Sequence, residues 1–210
     1  MVVIAPHTWA PEVLRSAGSR VPLVAVEGGA GRLPTVAVDQ EKGGALATEH
    51  LLALGHSTVW HVAGPREWLE ARGRERGWRD ALHRAGRSLP PVLRGGWGVR
   101  SGYAAGRRLA AERDATAVFV ANDQMALGVL RAFSEAGVGA PKDVSVVGFD
   151  DVPEALYFTP SLSTVRQDFD EVGRRALQLL LDQIADDAVG ERHVVVEPQL
   201  VVRESSAPPP

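Results

Sequence analysis

The chain has 210 residues, of which 45% are hydrophobic and 23% charged, with a formal net charge of −3 and no cysteine. Such a composition suits a globular protein large enough to bury a core and argues against wholesale disorder. It excludes disulfides and thiolate zinc sites, its scattered arginines make no basic patch for gripping DNA, and no apolar run approaches the ~20 residues that cross a bilayer.

Taken in chain order, "MVVIAPHTWAPE" lacks the basic region and small-residue cleavage site of a signal peptide, so the expected address is the cytoplasm. Residues 2–5 predict a strand, 10–17 a helix and 22–26 a second strand. The loop 27–34, "EGGAGRLP", holds a Gly-x-Gly but runs into Pro34 and another strand rather than a helix, so it is no phosphate cradle. Strands follow at 35–38, 58–63, 92–94, 117–121, 144–149, 163–166, 194–196 and 199–203. Helices are predicted at 41–54, 68–85, 99–112, 123–137 and 168–186. Gly55, Gly86 and Gly137 are placed to end three of the helices in left-handed caps, and Asp168 or Asp170 to begin the last. Apolar strands alternating with helices predict an α/β fold with parallel sheets covered on both faces. The tail "SSAPPP" offers nothing to bury and is expected to be disordered. Because the chain opens on an apolar, central-looking strand, we expect residues 1–5 not to begin the fold of the complete protein.

Polar side chains sit at the strand ends. Asn122-Asp123-Gln124 follows "AVFVA", Asp150-Asp151 follows "VSVVGF", Asp39-Gln40 follows "TVAV", and Gln167-Asp168 follows "STVR". Singly, each reads as a helix cap or turn residue, and Asp123 is expected to be a cap. Together they line one crevice, since ligands of parallel α/β sheets bind beyond the carboxyl ends of the strands. With Arg74 and Trp97 they suit a small hydroxylated molecule. A carboxylate accepts from a vicinal diol, a guanidinium donates in a plane, and an aromatic ring covers the C–H face of a pyranose or a base. The setting of Trp97, "RGGWGVRSGY", points to a loop rather than the core.

Catalysis finds no support. The six histidines make no H-x-x-x-H or H-E-x-x-H pair, so no metal is expected, and no cofactor motif is present. Asp150 and Asp151, adjacent on an extended chain, point to opposite sides and cannot face each other across a glycosidic bond.

The ordered set "NDQMALG", "VVGFDD" and "TPSLSTVRQ", together with "RGRERGW" and "HLLALGH", resembles the effector-binding core of the lactose/galactose repressor (LacI/GalR) family of bacterial transcription regulators. The resemblance spans nearly the whole chain. It implies two Rossmann-like lobes of the type I periplasmic-binding-protein kind, the first incomplete. Residues 1–56 and 168–189 would make the N-terminal lobe, 57–165 and 190–203 the C-terminal lobe, and 204–210 the tail, with crossovers near 57–64, 164–168 and 188–194. Effector contacts carried over onto this chain are Arg74, favoured over Arg72 and Arg76, with Trp97, Asn122 and Asp150. Asp39, Gln167 and Phe169 follow at the lobe edges. A homodimer would use the helix bearing Leu127 and Leu130 and the loop bearing Tyr157 and Phe158. The implied function is effector sensing for a transcription regulator, with a sugar preferred and a purine as the other effector class. Family members begin with a helix-turn-helix and a hinge, then two βα units before the strand that opens this chain. Operator DNA would therefore be bound only through a domain lying outside these residues. The alternative is a sugar-binding protein of a transport system.

Overall fold

The computed structural model describes residues 1–8, 10, 21–28, 33–185 and 193–210. The helix expected over 10–17 falls, but for Ala10, outside them. The described elements, in chain order, are β1 (Val2–Ile4), β2 (Val24–Val26), β3 (Thr35–Val38), α1 (Gln40–Ala53), β4 (Trp60–Ala63), α2 (Leu69–Arg84), β5 (Leu93–Arg94) and α3 (Val99–Leu109). Then come β6 (Ala117–Val120), α4 (Asp123–Ala136), β7 (Ser145–Asp150), a 3-10 turn (Pro153–Tyr157), β8 (Ser163–Arg166), α5 (Phe169–Ala185), β9 (His193–Val196) and β10 (Gln199–Val201). Among the described residues no helix is long and apolar enough to cross a membrane.

The strands form two sheets, one ordered β1-β2-β3-β9 and the other β10-β8-β7-β6-β4-β5. All described pairings are parallel except β10 against β8. Strand alternation divides the larger lobe's core in two. Val118 and Val120 face α3 and α4, where Leu109, Met125, Val129 and Phe133 pack. Ala117 and Phe119 face the other way, onto Ala47 and Leu51 of α1 and Trp78 and Leu82 of α2. In the smaller lobe Val24, Val36, Val38 and Val196 bury against Val172, Ala176 and Leu179 of α5.

Three expectations are corrected. First, α1 packs on the six-stranded sheet, so the smaller lobe ends near Asp39 and not at residue 56. The cause lies in glycines: a Cβ on Gly44 would stand 2.3 Å from Arg74 O, and one on Gly77 1.9 Å from Glu41 O. Only glycine there lets α1 and α2 cross this closely and cover one sheet together. Second, β9 pairs with β3 in the smaller lobe rather than joining the C-terminal lobe. Among the described residues the chain thus changes lobe between β3 and α1, between β8 and α5, and between β9 and β10. Residues 57–64 stay within the larger lobe.

Third, the tail is ordered. Ser205 is fully buried. Val146 N–H donates to Ser205 O at 2.7 Å, Ser205 Oγ to Val146 O at 2.6 Å, and Ser205 N–H to Ser161 O at 3.0 Å. Beyond it, Ala207 O meets His56 Nε2 at 3.0 Å. Main-chain and hydroxyl hydrogen bonds fix this segment, and hydropathy does not register them.

The residues expected at a dimer surface separate. Leu127 and Tyr157 are exposed, Tyr157 at 81%, whereas Leu130, at 7%, belongs to the core under α4 and Phe158 packs partly buried against it. On a helix, positions 127 and 130 lie close to one face, but here the core also covers the turn that carries Leu130.

Candidate functional site

A cavity of about 330 Å³ opens where the carboxyl ends of the strands from both lobes meet. Arg74, Trp97, Asn122, Asp150, Gln167 and Phe169 all line it. Asp39 does not. Its carboxylate caps α1 by accepting from Lys42 N–H at 2.8 Å, and it faces an outer groove among charged side chains of α1 and α2. Because Asp39 takes the cap position, the next residue, Gln40, turns inward and lines the cavity instead.

Four side chains close a ring there. Arg74 Nε donates to Gln40 Oε1 at 2.8 Å, and Gln40 Nε2 to Gln167 Oε1 at 2.7 Å. Gln167 Nε2 donates to Asp150 Oδ1 at 2.7 Å, and the same oxygen lies 3.4 Å from Arg74 Nη2. The ring assigns both amides and fixes their rotamers, which is what a preorganised polar site requires. Arg74 is only 4% exposed. Its Nη1 donates to Ala121 O at 2.5 Å, and its guanidinium lies 3.7 Å over the Phe149 ring and 5.6 Å from that of Trp97. Asp150 Oδ2, by contrast, has no partner among the described residues and remains available as an acceptor.

Local backbone explains where the neighbouring carboxylates point. Asp150 and Asp151 have φ of 108° and 52°, outside the region most residues occupy. At that bend Asp150 turns into the cavity while Asp151 turns out to Arg166 and Arg203, each at 2.6 Å. Asn122, at the end of β6, spends its Oδ1 on Met125 N–H as the cap of α4 and its Nδ2 on Trp97 O at 3.1 Å. It therefore anchors the loop that carries Trp97. The expectation that Asp123 is the cap is corrected: it lies fully buried beneath the site, accepting from Thr164 Oγ1 at 2.7 Å and Val152 N–H at 2.9 Å.

Trp97 lies in a loop, as its glycine-rich setting suggested. Its ring rests on the bare backbone of Gly64, where a Cβ would come within 2.5 Å, and meets Trp68 edge-on at 5.6 Å. Among the polar and aromatic lining residues the sequence reading missed Glu27, Trp68 and Glu70, and it gave Gln40 only as part of a strand-end pair with Asp39. Glu70 stands one helical turn before Arg74, so i,i+4 spacing would have placed both on one face. Glu27, at φ 70°, sits at the mouth of the glycine loop.

Burial dominates the electrostatics. It pushes the Glu27 carboxyl up to about 7, raises Glu70, and raises Asp150 despite the nearby Arg74 guanidinium. The same burial lowers Arg74, against the pull of Asp150. Among the described residues no cluster suited to holding a metal ion is present.

A family model described as a periplasmic binding protein-like domain matches residues 48–206. The HTH-type transcriptional repressor PurR of Haemophilus influenzae is 32% identical over 212 residues, covering 98% of this chain. The chain spans 63% of that relative's length. Among solved structures, the transcriptional regulator CelR in complex with cellobiose superposes with a TM-score of 0.88 at 34% identity, covering 97% of this chain and 64% of that one. The lac repressor dimer bound to operator and the anti-inducer ONPF gives 0.89 at 31%, covering 98% and 73%.

Proposed function

The chain belongs to the periplasmic-binding-protein-like domain family in the form carried by LacI/GalR transcription regulators, and from that premise we propose that its interlobe cavity binds an uncharged sugar as the effector of such a regulator. The observation that carries the proposal is the ring Arg74–Gln40–Gln167–Asp150. It leaves Asp150 Oδ2 open as a hydroxyl acceptor while Trp97 offers an aromatic face beside it. A carboxylate oxygen next to a partly exposed indole suits a pyranose, whose hydroxyl edge donates and whose C–H face is apolar. The cavity lies at the small end of the ~300–1,000 Å³ spanned by small-molecule sites, which suits one or two rings. That a structural neighbour holds cellobiose agrees with this.

Phe169 and Gln167 would close on the sugar from the start of α5, and Asn122 would act by holding the Trp97 loop. Ligand bridging the lobes would alter a homodimer formed through the exposed Leu127, Leu156 and Tyr157. Through that dimer it would alter the operator affinity of a helix-turn-helix such as the PurR relatives carry by name.

A purine effector is the second reading, favoured by identity to PurR of 32–35%. A thermal-shift screen separates the two. The expected outcome is a rise in melting temperature with cellobiose or a monosaccharide and none with hypoxanthine or guanine. The reverse pattern would transfer the site to purines.

A further inference from the structure

We infer that Glu27 and Glu70 are specificity-determining residues of this cavity, which restrict it to hydroxylated effectors without acidic groups and exclude phosphorylated and carboxylated analogues. This rests on the sugar-site reading above. Three carboxyl groups, those of Glu27, Glu70 and Asp150, line the cavity against a single cation, Arg74. Three of the five Arg74 N–H donors already face acceptors, Nε toward Gln40, Nη1 toward Ala121 O and Nη2 toward Asp150, and its plane lies on Phe149, so its charge is largely taken up before a ligand arrives.

Neither Glu27 nor Glu70 has an ion-pair partner among the described residues. Glu27 accepts from Val38 N–H at 3.2 Å and from Gln40 Nε2 at 3.5 Å. Glu70 Oε2 is buried with no hydrogen-bond partner among the described residues. An acceptor left like this is satisfied by a hydroxyl donor, which every sugar supplies. A phosphate or a carboxylate brings acceptors to acceptors, and whichever of the lining carboxyls is ionised adds like-charge repulsion to that mismatch.

The test is calorimetric titration of glucose, cellobiose and ribose, beside glucuronic acid, glucose 6-phosphate and ribose 5-phosphate. The proteins compared are the wild type, Glu70→Gln, Glu70→Ala and the Glu27→Gln/Glu70→Gln double variant. Whichever neutral sugar binds is expected to do so ~100-fold or more tightly than its acidic counterpart. The double variant should narrow the gap between neutral-sugar and acidic-analogue affinity ~10-fold, and Glu70→Ala should weaken the neutral sugar ~10-fold. Should the double variant not fold, Glu70→Gln alone is expected to show part of the same narrowing. An acidic analogue that binds the wild type as tightly as its neutral parent, or no narrowing in a folded Gln variant, would overturn the inference and leave the sugar site standing. Failure of every sugar, neutral and acidic, to bind the wild type would remove the sugar site and this inference with it.

Discussion

Asp150 shows how much a single position carries. Its φ of 108° is one that Asp tolerates better than most residues, and the bend gives Asp150 and Asp151 separate duties. Replacing Asp150 with Ala would leave Arg74 as a buried guanidinium without its carboxylate. Arginine cannot shed its proton, so the loss of a partner is felt in full, at about 3–5 kcal/mol. We therefore expect Asp150→Ala to lower unfolding stability as well as effector affinity, which chemical denaturation and titration would measure separately. Buried Asp123 and cavity-lining Glu27 set a pH dependence. Burial lifts both carboxyls to about 7, above their ordinary 3.8 and 4.5, so the folded chain binds more protons than the unfolded one in that interval. Stability then falls as pH rises from about 4 through about 7. Denaturant melts at pH 5 and pH 8 should differ by about 2–4 kcal/mol from Asp123 alone, and Asp123→Asn should flatten the difference. Asn122, Asp150 and Gln167 were legible because polar side chains at the ends of apolar strands have few other places to go, while Arg74, on a helix among other arginines, was singled out by the family resemblance. Gln40 was read as a strand-end amide, but the contact was given to its capping neighbour Asp39, and Glu27 was hidden behind glycines.

Helix pairs decide where those residues stand. Gln40 opens α1 and Arg74 lies mid-α2, and the crossing at Gly44 and Gly77 holds the two in register. Gly77→Ala puts a methyl against Glu41 O. We expect it to cost about 1–3 kcal/mol by overpacking and to weaken sugar binding as the ring of four side chains shifts, to be followed by thermal melts and titration together. The tail makes an equally specific case. Ending the chain after Arg203 removes the buried Ser205 and its three hydrogen bonds to Val146 and Ser161. At about 0.5–1.5 kcal/mol each, that predicts about 2–4 kcal/mol lost and a lower melting temperature, whereas a disordered tail would be removed without effect. Among the described residues, helix and strand positions followed from hydrophobic period to within a few residues of the observed ends. The lobe to which α1 and β9 belong did not, because periodicity reports that a face is buried and not which sheet buries it. For α1 the glycine spacing in "EKGGAL" and "RGRERGW" carried that information; for β9 nothing in the sequence reading did.

Across the whole molecule, two parallel sheets present their carboxyl ends to one hollow, and the residues around it come from both lobes. Glu27 and Phe169 stand on the smaller lobe, Arg74, Trp97 and Asp150 on the larger. A ligand held by both sides stabilises their approach by as much as it binds the joined arrangement better than the open one. The family resemblance was readable because its motifs are the strand ends that build this hollow, while the identity of the occupant depends on side chains such as Glu70 whose role only packing reveals. Calorimetric titration of neutral sugars and nucleobases into the wild type and Asp150→Ala, side by side, tests the effector site most directly. One sugar bound per chain in the wild type, with no detectable heat of binding in Asp150→Ala, is the predicted result. A nucleobase as the only ligand, or a sugar bound equally well by both proteins, would contradict it.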